Sequence, residues 1–274
     1  MSKVLFPTDF TATSRQALDY ALTIARNKGI SITLLHIYDL EWPDYRYTKE
    51  ELRYAIEQKE AEIMRRYKAF TKHLPENINT EMMIRRGQLV GQIIRYAREE
   101  QFSFVVIDGN TQRGIREWLF GSNIEAIVDK VASPVLTITD KKPFKGIKSF
   151  IHATNFVSDN IMSLQEIDNF ARLFKAQITF LKISTTPITN QKRERASQYE
   201  IGLNKLLQSP FKVILVEHQS VAQGIMEYTK KHKGDLVTIL KRHRNFAEKM
   251  FYDSLTQKLL STSDIPILVF QQPI

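Results

Sequence analysis

The sequence predicts two tandem α/β units, each an open five-stranded parallel sheet with helices on both faces. Three observations support this fold class: an internal repeat, short apolar runs that alternate with helically periodic segments, and a polar linker near the middle of the 274-residue chain. Strands that alternate with helices imply parallel pairing through right-handed crossovers. The chain length is sufficient for two domains of ordinary size.

The first part of the repeat keeps one register through a strand, a helix and a second strand. Segment 3–10 reads Lys-Val-Leu-Phe-Pro-Thr-Asp-Phe and aligns with segment 149–156, Ser-Phe-Ile-His-Ala-Thr-Asn-Phe, at a separation of 146 residues. The same separation aligns segment 32–37 with segment 178–183. A register held over this length indicates one structural unit present twice.

The later part of the repeat aligns at a separation of 132 residues, which pairs segment 104–107 with segment 236–239. The second unit is therefore shorter by 14 residues. The loss falls between about Ile183 and Phe211, where the first unit carries the charged stretch Glu50–His73. We assign the units to residues 1–141 and 147–274, on either side of a polar linker that contains proline and glycine.

The elements of the first unit can be read in order. The apolar run Val4–Phe6 ends at Pro7 and predicts a buried strand. A helix follows that Thr11, Thr13 or Ser14 can cap and that Gly29 ends. The remaining elements are predicted as strand Ile30–Ile37, helix Glu50–His73, strand Glu81–Ile84, helix Leu89–Glu99, strand Phe104–Ile107, helix Ser122–Val131 and strand Val135–Ile138.

Composition excludes several kinds of site. The chain has no cysteine, which rules out disulfides, thiolate metal sites and cysteine nucleophiles, and its six histidines show no metal-ligand spacing. No window is long and apolar enough to predict a membrane span, so we expect a cytoplasmic protein without a membrane partner. The net charge of +9 comes from dispersed basic residues, which favours solvated surface charge over nucleic-acid binding.

Three features in order resemble a known family. The opening strand is followed by Pro7-Thr8-Asp9-Phe10, the fourth strand by the segment Asp108–Ser122, and the last strand begins at Ser133-Pro134-Val135-Leu136. Together, and repeated, they resemble the universal stress protein family. This is a flavodoxin-like or Rossmann-like branch of α/β folds that includes adenine-nucleotide binders. The resemblance covers nearly the whole chain, once for each unit.

The resemblance implies a nucleotide site in the first unit. Nucleotide-binding members carry the spacing G-x2-G-x9-G-[ST], in which glycines admit the phosphates and the final Gly-Ser lies at a helix N-terminus that favours an anion. Gly121 and Ser122 keep that final pair, and Asn123 follows them. The first two motif glycines fall instead on Asp108 and Thr111. A carboxylate at Asp108 would repel phosphate unless a metal or lysine intervenes.

Other residues of the first unit complete this candidate cofactor-binding set. Asp9 matches the family's first-strand aspartate, which can accept hydrogen bonds from ribose or adenine, and Pro7 and Thr8 precede it. Ile37 stands where the family offers a residue near the base, and Gly109 lies beside the motif. The ligand that the resemblance implies is ATP or AMP.

The second unit departs further from the family motif. Asn155 replaces the aspartate, and Leu240 and His243 occupy the first two glycine positions. Asp253 occupies the last glycine position, so only Ser254 is retained. We therefore expect any nucleotide to bind the first unit alone.

Several other groups are more simply explained by structure. The cluster Lys241–Arg244 can hold phosphate or RNA, but a solvated loop is the preferred interpretation. His36 and His152 are expected to be packed or hydrogen-bonded. Trp118, Phe120 and the run 250–252 are expected in the core or an interface. No general base adjoins Ser122, so no catalytic residues are assigned.

Three functions remain open. The leading one is a cytoplasmic regulatory or interaction protein of the universal stress type, without catalytic turnover. The alternatives are an adenine-nucleotide sensor that uses the first unit, with slow hydrolysis not excluded, and a basic nucleic-acid-associated protein. We expect two separate sheets in a pseudo-symmetric pair, with the exposed edges of the final strands, 135–138 and 267–270, able to pair. We also expect a homodimer of tandem chains and an unidentified protein partner.

Overall fold

The computed structural model describes residues 3–40, 44–109, 121–139, 144–157, 159–241 and 246–271. The first half alternates strands and helices in the order β1 Lys3–Pro7, α1 Ala12–Lys28, β2 Ser31–Tyr38, α2 Lys49–Thr71, β3 Thr80–Arg86, α3 Leu89–Glu99, β4 Phe102–Asp108, α4 Gly121–Lys130 and β5 Val135–Ile138. The second half repeats the order as β6 Ser149–Ala153, α5 Ile161–Phe174, β7 Gln177–Ser184, α6 Asn190–Leu206, β8 Phe211–Glu217, α7 Val221–Lys231, β9 Leu236–Lys241, α8 Phe246–Thr262 and β10 Ile267–Gln271.

The sheet contains two parallel five-stranded sets, as predicted. The strand order is β3-β2-β1-β4-β5 in the first half and β8-β7-β6-β9-β10 in the second, which is the Rossmann-like order. The expectation of two separate sheets was wrong, because β5 and β10 pair antiparallel and join the sets into one ten-stranded sheet. This pairing covers both of the exposed strand edges that the sequence identified.

An approximate two-fold axis relates the halves. Leu136 and Leu268, which are equivalent in the repeat, face each other across the β5–β10 ladder. Asn27 and Leu173 are also equivalent, and the Asn27 amide donates to the Leu173 carbonyl at 2.6 Å. Contacts between equivalent positions are expected only close to a two-fold axis. The tandem chain therefore has the internal arrangement of a symmetric dimer.

The core lies on both faces of the sheet. Along β1, Val4 and Phe6 pack into the layer beneath α1, whereas Leu5 packs into the layer beneath α3 and α4. This alternation follows from the two-residue period of a strand and confirms helices on both faces. None of the described helices is long and apolar enough to cross a membrane.

Local signals set the ends of the helices. Thr11 is the N-cap of α1, where its hydroxyl accepts from the Ser14 amide, and Gly29 ends the helix at a left-handed φ of 64°. Thr48 and Glu51 form a reciprocal capping box at the start of α2. The second half is shorter partly because α6 has 17 residues where α2 has 23.

Candidate functional site

The candidate site of the first half lies at the carboxyl edge of the sheet, between β1 and β4. The chain order reverses there, because β1 is flanked by β2 on one side and by β4 on the other. Open parallel sheets bind ligands at such switch points. The Thr8 amide continues the ladder to the Leu35 carbonyl at 2.9 Å, and the Gly109 amide continues it to the Ile138 carbonyl at 2.8 Å. The loops that begin at Thr8 and Gly109 therefore leave the sheet from adjacent strands.

Asp9 organises the loop between β1 and α1. Its Oδ1 accepts from the Thr11 amide at 3.0 Å, the Thr11 hydroxyl at 2.7 Å and the Ser14 hydroxyl at 2.6 Å. Burial alone would raise the pKa of Asp9, but the hydrogen bonds from Ser14 and Thr11 outweigh burial and hold the pKa below its ordinary value. Asp9 is thus ionised at neutral pH, with one of its oxygens engaged by its own loop.

The next residue adopts an unusual conformation and carries a stack of side chains. Phe10 has a φ of 60°, and its ring stacks on the imidazole of His36 with centroids 4.8 Å apart. Arg66 of α2 lies over the Phe10 ring at 5.8 Å and donates to the Asp9 carbonyl at 2.5 Å. His36 is buried and contacts the Thr8 carbonyl through Nδ1 at 2.8 Å, which confirms a hydrogen-bonded histidine. Arg66 was not identified from the sequence, because it lies 57 residues from Asp9.

Three further predicted residues lie on β2 and β4. Ile37 is 5% exposed and packs with the apolar residues beneath α3 and α4. Asp108 is the last residue of β4, in register with Ile138 of β5. Gly109 follows in a confined position, since an added Cβ would lie 3.2 Å from the Thr139 methyl and 3.3 Å from the Ile138 carbonyl oxygen. Even a methyl group at 109 would therefore require these neighbours to shift by a few tenths of an ångström.

The helix that the motif places next to the phosphates is α4, which the structure describes from Gly121, with Ser122 and Asn123 as the next residues. The amide groups of the first turn of a helix have no carbonyl partners within the helix, which makes such a terminus attractive to an anion. Thr111, Trp118 and Phe120 lie outside the described residues.

The equivalent edge of the second half holds a small apolar cavity of about 100 Å³. Leu255 stands where the first half has Asn123, and its side chain lines the cavity with Ile183, Ile225 and Asn155. Pockets that enclose molecules of nucleotide size have volumes of about 300–1,000 Å³. The cavity formed by the described residues is smaller than this range.

In the second half, a lysine makes the contact with the loop carbonyl that Arg66 makes in the first half. Lys182, at the repeat position of His36, donates to the Asn155 carbonyl at 2.9 Å and lies 5.4 Å from the Phe156 ring centre. Phe156 has a φ of 63°, almost the same as Phe10. Burial lowers the pKa of Lys182, and the charges of Arg195 and Lys192 add to this effect. Both halves therefore hold the same loop carbonyl with a cation, supplied by α2 in one and by β7 in the other.

A buried polar cluster fixes the next segment of the second half. Asp159 accepts from the Thr154 hydroxyl and the Tyr199 hydroxyl, each at 2.5 Å, and His152 Nε2 lies 3.8 Å from its other oxygen. The side chains of His152 and Asp159 are 0% and 2% exposed. Burial acts to raise the pKa of Asp159, but His152, Thr154 and Tyr199 together lower it to about 2. His152 Nδ1 contacts the Thr238 hydroxyl at 2.9 Å, so the expectation of a hydrogen-bonded histidine is confirmed.

One residue of the basic cluster at the end of β9 is buried, although the cluster was predicted to be a solvated loop. Lys241 is 4% exposed and forms an ion pair with Asp129 of α4, in the other half. The prediction of a solvated loop is thus wrong for Lys241, because its ammonium is buried between the halves. Arg242, His243 and Arg244 lie outside the described residues. Within the described ranges, no group of three or more histidine or acidic residues is arranged to hold a metal ion.

Comparisons with known proteins agree with this architecture. The model of the universal stress protein family matches residues 1–139 and again residues 166–271. A universal stress protein structure from Archaeoglobus fulgidus superposes with a TM-score of 0.69 at 17% identity and covers 98% of this chain and 96% of that one. A curated universal stress protein of Methanocaldococcus jannaschii is 25% identical over 158 residues, which are 51% of this chain and 95% of that protein.

A smaller solved structure matches about half of the chain. It is a universal stress protein in complex with cAMP, which covers 46% of this chain at 10% identity with a TM-score of 0.39. The two family matches together include every strand of the described sheet except β6. The chain therefore belongs to the universal stress protein family and carries two copies of the family domain in tandem.

Proposed function

We propose that this chain is a regulatory protein without catalytic turnover, in which the first half binds an adenine nucleotide and the second half does not. The observation that carries the proposal is the difference between the two equivalent sheet edges. The first keeps Asp9, Gly109 and a helix described from Gly121, whereas the described residues of the second enclose a cavity of about 100 Å³ lined by Leu255.

The chemistry of the first edge suits a nucleoside with an anionic group. The Asp9 carboxylate can accept from ribose hydroxyls, and the first turn of α4 offers amide donors to a phosphate. Asp108 opposes this, since it adds a carboxylate at a motif glycine position. AMP, with fewer phosphate charges, is therefore expected to bind more tightly than ATP in the absence of divalent cations.

The first experiment is to denature the purified protein and to analyse the supernatant for released nucleotide by chromatography. Calorimetric titration of nucleotide-free protein with AMP and ATP then gives the number of sites, for which we expect one per chain. Two equivalent sites would contradict the asymmetry. No released nucleotide together with no measurable heat would contradict nucleotide binding and leave a regulatory protein that acts through other contacts.

Variants locate the site. Gly121→Asp places a side chain and a negative charge at the start of α4, and we expect it to abolish measurable binding. Asp9→Asn keeps an oxygen for Thr11 and Ser14 but removes the charge. Loss of charge-assisted hydrogen bonds costs about 1.5–3 kcal/mol, or roughly ten- to a hundredfold in affinity. Asn155→Ala, at the equivalent position in the second half, is the matched control and should leave affinity unchanged.

Homodimerisation is a separate proposal, and the structure narrows where it can occur. The sheet edges of β5 and β10 are already paired within the chain, so a second copy must use another surface. Trp118, which we expect in the core or an interface, lies outside the described residues. Light scattering at high micromolar concentration measures the mass of the assembly, and the mass of a single chain would contradict homodimerisation.

A further inference from the structure

A groove of about 750 Å³ lies where the two halves meet, at the end of the sheet opposite to the candidate nucleotide site of the first half. Its floor is aromatic, with Phe102 and Phe104 from β4, Phe170 from α5 and Phe270 from β10. No described segment crosses the groove, and both halves contribute to its walls. The groove shares no residue with the candidate nucleotide site.

The two-fold relation between the halves gives this groove a counterpart, and the counterpart is filled. Glu166 lines the open groove, and its equivalent in the first half is Tyr20, 146 residues earlier. The ring of Phe144, from the linker between the halves, packs on Tyr20 with centroids 4.2 Å apart. Ile147, three residues further along the linker, is 2% exposed in the same core layer. A segment with an aromatic and an aliphatic anchor, which turns at Gly146 with a φ of 89°, thus packs on the helix that borders the equivalent groove.

The linker can occupy only one of the grooves, because it connects β5 to β6 once. The helices α1 and α5 contact each other at the two-fold axis, and each presents equivalent positions to the groove on its own side. What fills the first groove is therefore a guide to what the second can accept. Phe270, at the floor of the open groove, is the repeat equivalent of Ile138, the last residue before the linker begins.

The open groove differs from its counterpart in charge. A carboxylate, Glu166, stands where the filled groove has the Tyr20 ring. Burial raises the pKa of Glu166, and the positive charge of Lys28 offsets part of this effect. A positive group on an occupant would add a second cation beside this half-buried carboxylate. Lys28, Arg98 and Lys130 also line the groove and can donate to backbone carbonyls of an occupant.

We propose that the open groove is a docking site for a peptide of a protein partner, which carries an aromatic anchor, a basic residue directly after it and an aliphatic residue three positions after the anchor. The linker Phe144-Lys145-Gly146-Ile147 has this pattern and supplies the structural template. The aromatic anchor packs on the Phe170 and Phe270 side of the groove, and the basic residue pairs with Glu166. The site is independent of any nucleotide bound to the first half.

The probe is a blocked synthetic peptide with the sequence of residues 142–149, added to the ¹⁵N-labelled full-length chain. We expect saturable shifts of the backbone amides of Gln101, Ser103 and Asn169, which line the groove. Two anchors without a preformed interface give weak binding, with a Kd of about 0.1–1 mM. A peptide with alanine in place of the phenylalanine should bind at least about tenfold more weakly, since it lacks the main apolar anchor.

Two variants separate docking from accidental binding. Ala132→Trp places a ring at the exposed rim of the groove and should weaken the peptide at least about tenfold, whereas Ala69→Trp, exposed on α2, should not change it. The unmodified chain should bind the peptide with lysine after the aromatic anchor about two- to fivefold more tightly than a peptide with alanine there. Glu166→Gln should remove this difference in affinity. Shifts that cluster elsewhere, absence of saturation at millimolar peptide, or equal effects of the two tryptophan variants would overturn the proposal.

Discussion

The buried carboxylate of Asp159 offers the sharpest test of how the second half is stabilised. Replacing it by asparagine keeps the size of the side chain but removes the charge that Thr154, Tyr199 and His152 surround. The pKa of Asp159 is about 2 in the folded chain against an ordinary value of 3.8. At about 1.4 kcal/mol per pKa unit, this difference corresponds to about 2 kcal/mol of folding free energy at neutral pH.

The total loss should be somewhat larger. Asparagine still accepts one hydrogen bond, but its amide hydrogens meet hydroxyl groups that were oriented towards a carboxylate, and His152 loses the acidic oxygen 3.8 Å from its Nε2. Leaving a buried polar group without its partner costs about 1–3 kcal/mol. We therefore expect Asp159→Asn to lower the free energy of unfolding by about 2–4 kcal/mol at pH 7, with no change of fold.

The pH dependence supplies a second readout. Because the folded pKa is depressed, the stabilisation by Asp159 is fully present above the ordinary pKa and is lost as the pH falls from about 5 to about 2. The difference in the free energy of unfolding between the unmodified chain and Asp159→Asn should consequently decrease by about 2 kcal/mol over that pH interval. Urea denaturation followed by circular dichroism at pH 7, 5, 4 and 3 measures this difference.

Asp264→Asn is the matched control, because Asp264 pairs with Lys230 at 3.2 Å with both side chains more than half exposed. Exposed pairs contribute about 0–1 kcal/mol. Equal losses in the free energy of unfolding for Asp159→Asn and Asp264→Asn would contradict stabilisation by the buried cluster. The same would follow if the loss caused by Asp159→Asn were equal at pH 3 and pH 7.

Three further substitutions test other contacts. Lys241→Met removes the cation that pairs with Asp129 across the two halves. We expect the free energy of unfolding, measured by urea denaturation, to fall by about 1–3 kcal/mol. Lys230→Met, which removes an exposed ion pair, is the control. Gly109→Ala should cost about 1–3 kcal/mol, because the new methyl lies 3.2 Å from the Thr139 side chain; a thermal midpoint equal to that of the unmodified chain would contradict this crowding. Leu255→Ala should lower the free energy of unfolding by about 2–5 kcal/mol, because it enlarges the cavity. We expect the second half of this variant still to bind no nucleotide. A second site in calorimetry would show that the Leu255 side chain alone blocks binding there.

The repeat register predicted the fold because it preserved local signals. Thr11 and Gly29 set the ends of α1 through their own side chain and backbone, and the apolar run Val4–Phe6 must be buried on both faces. Such features depend on residues a few positions apart, which a sequence displays directly. The strand order then follows from alternation and handedness. The sequence also identified the two edges, β5 and β10, that pair, but not that their pairing makes the sheet continuous.

The contacts that the sequence did not predict join residues far apart in the chain. Tyr199 is 40 residues from Asp159, and Arg66 is 57 residues from Asp9, so neither pair leaves a periodic pattern. The partner of Lys241 is in the other half, and its burial could not be inferred from a run of basic residues. Within the candidate site, the repeat placed Asp9 and Gly121 at the edge of the sheet, but only the fold shows that one Asp9 oxygen already serves the loop.

Two residues of the second half contact α4 of the first half. Lys241, at the repeat position of Gly109, reaches Asp129 in α4, and Gln271 of β10 donates to the Val128 carbonyl of the same helix at 2.8 Å. The helix that begins at Gly121 in the candidate nucleotide site is therefore held near its other end by the second half. A helix moves as a rigid element, so a shift of its first turn must be taken up at these two contacts. If the proposed nucleotide shifts the first turn of α4, the second half is therefore in direct contact with the helix that moves.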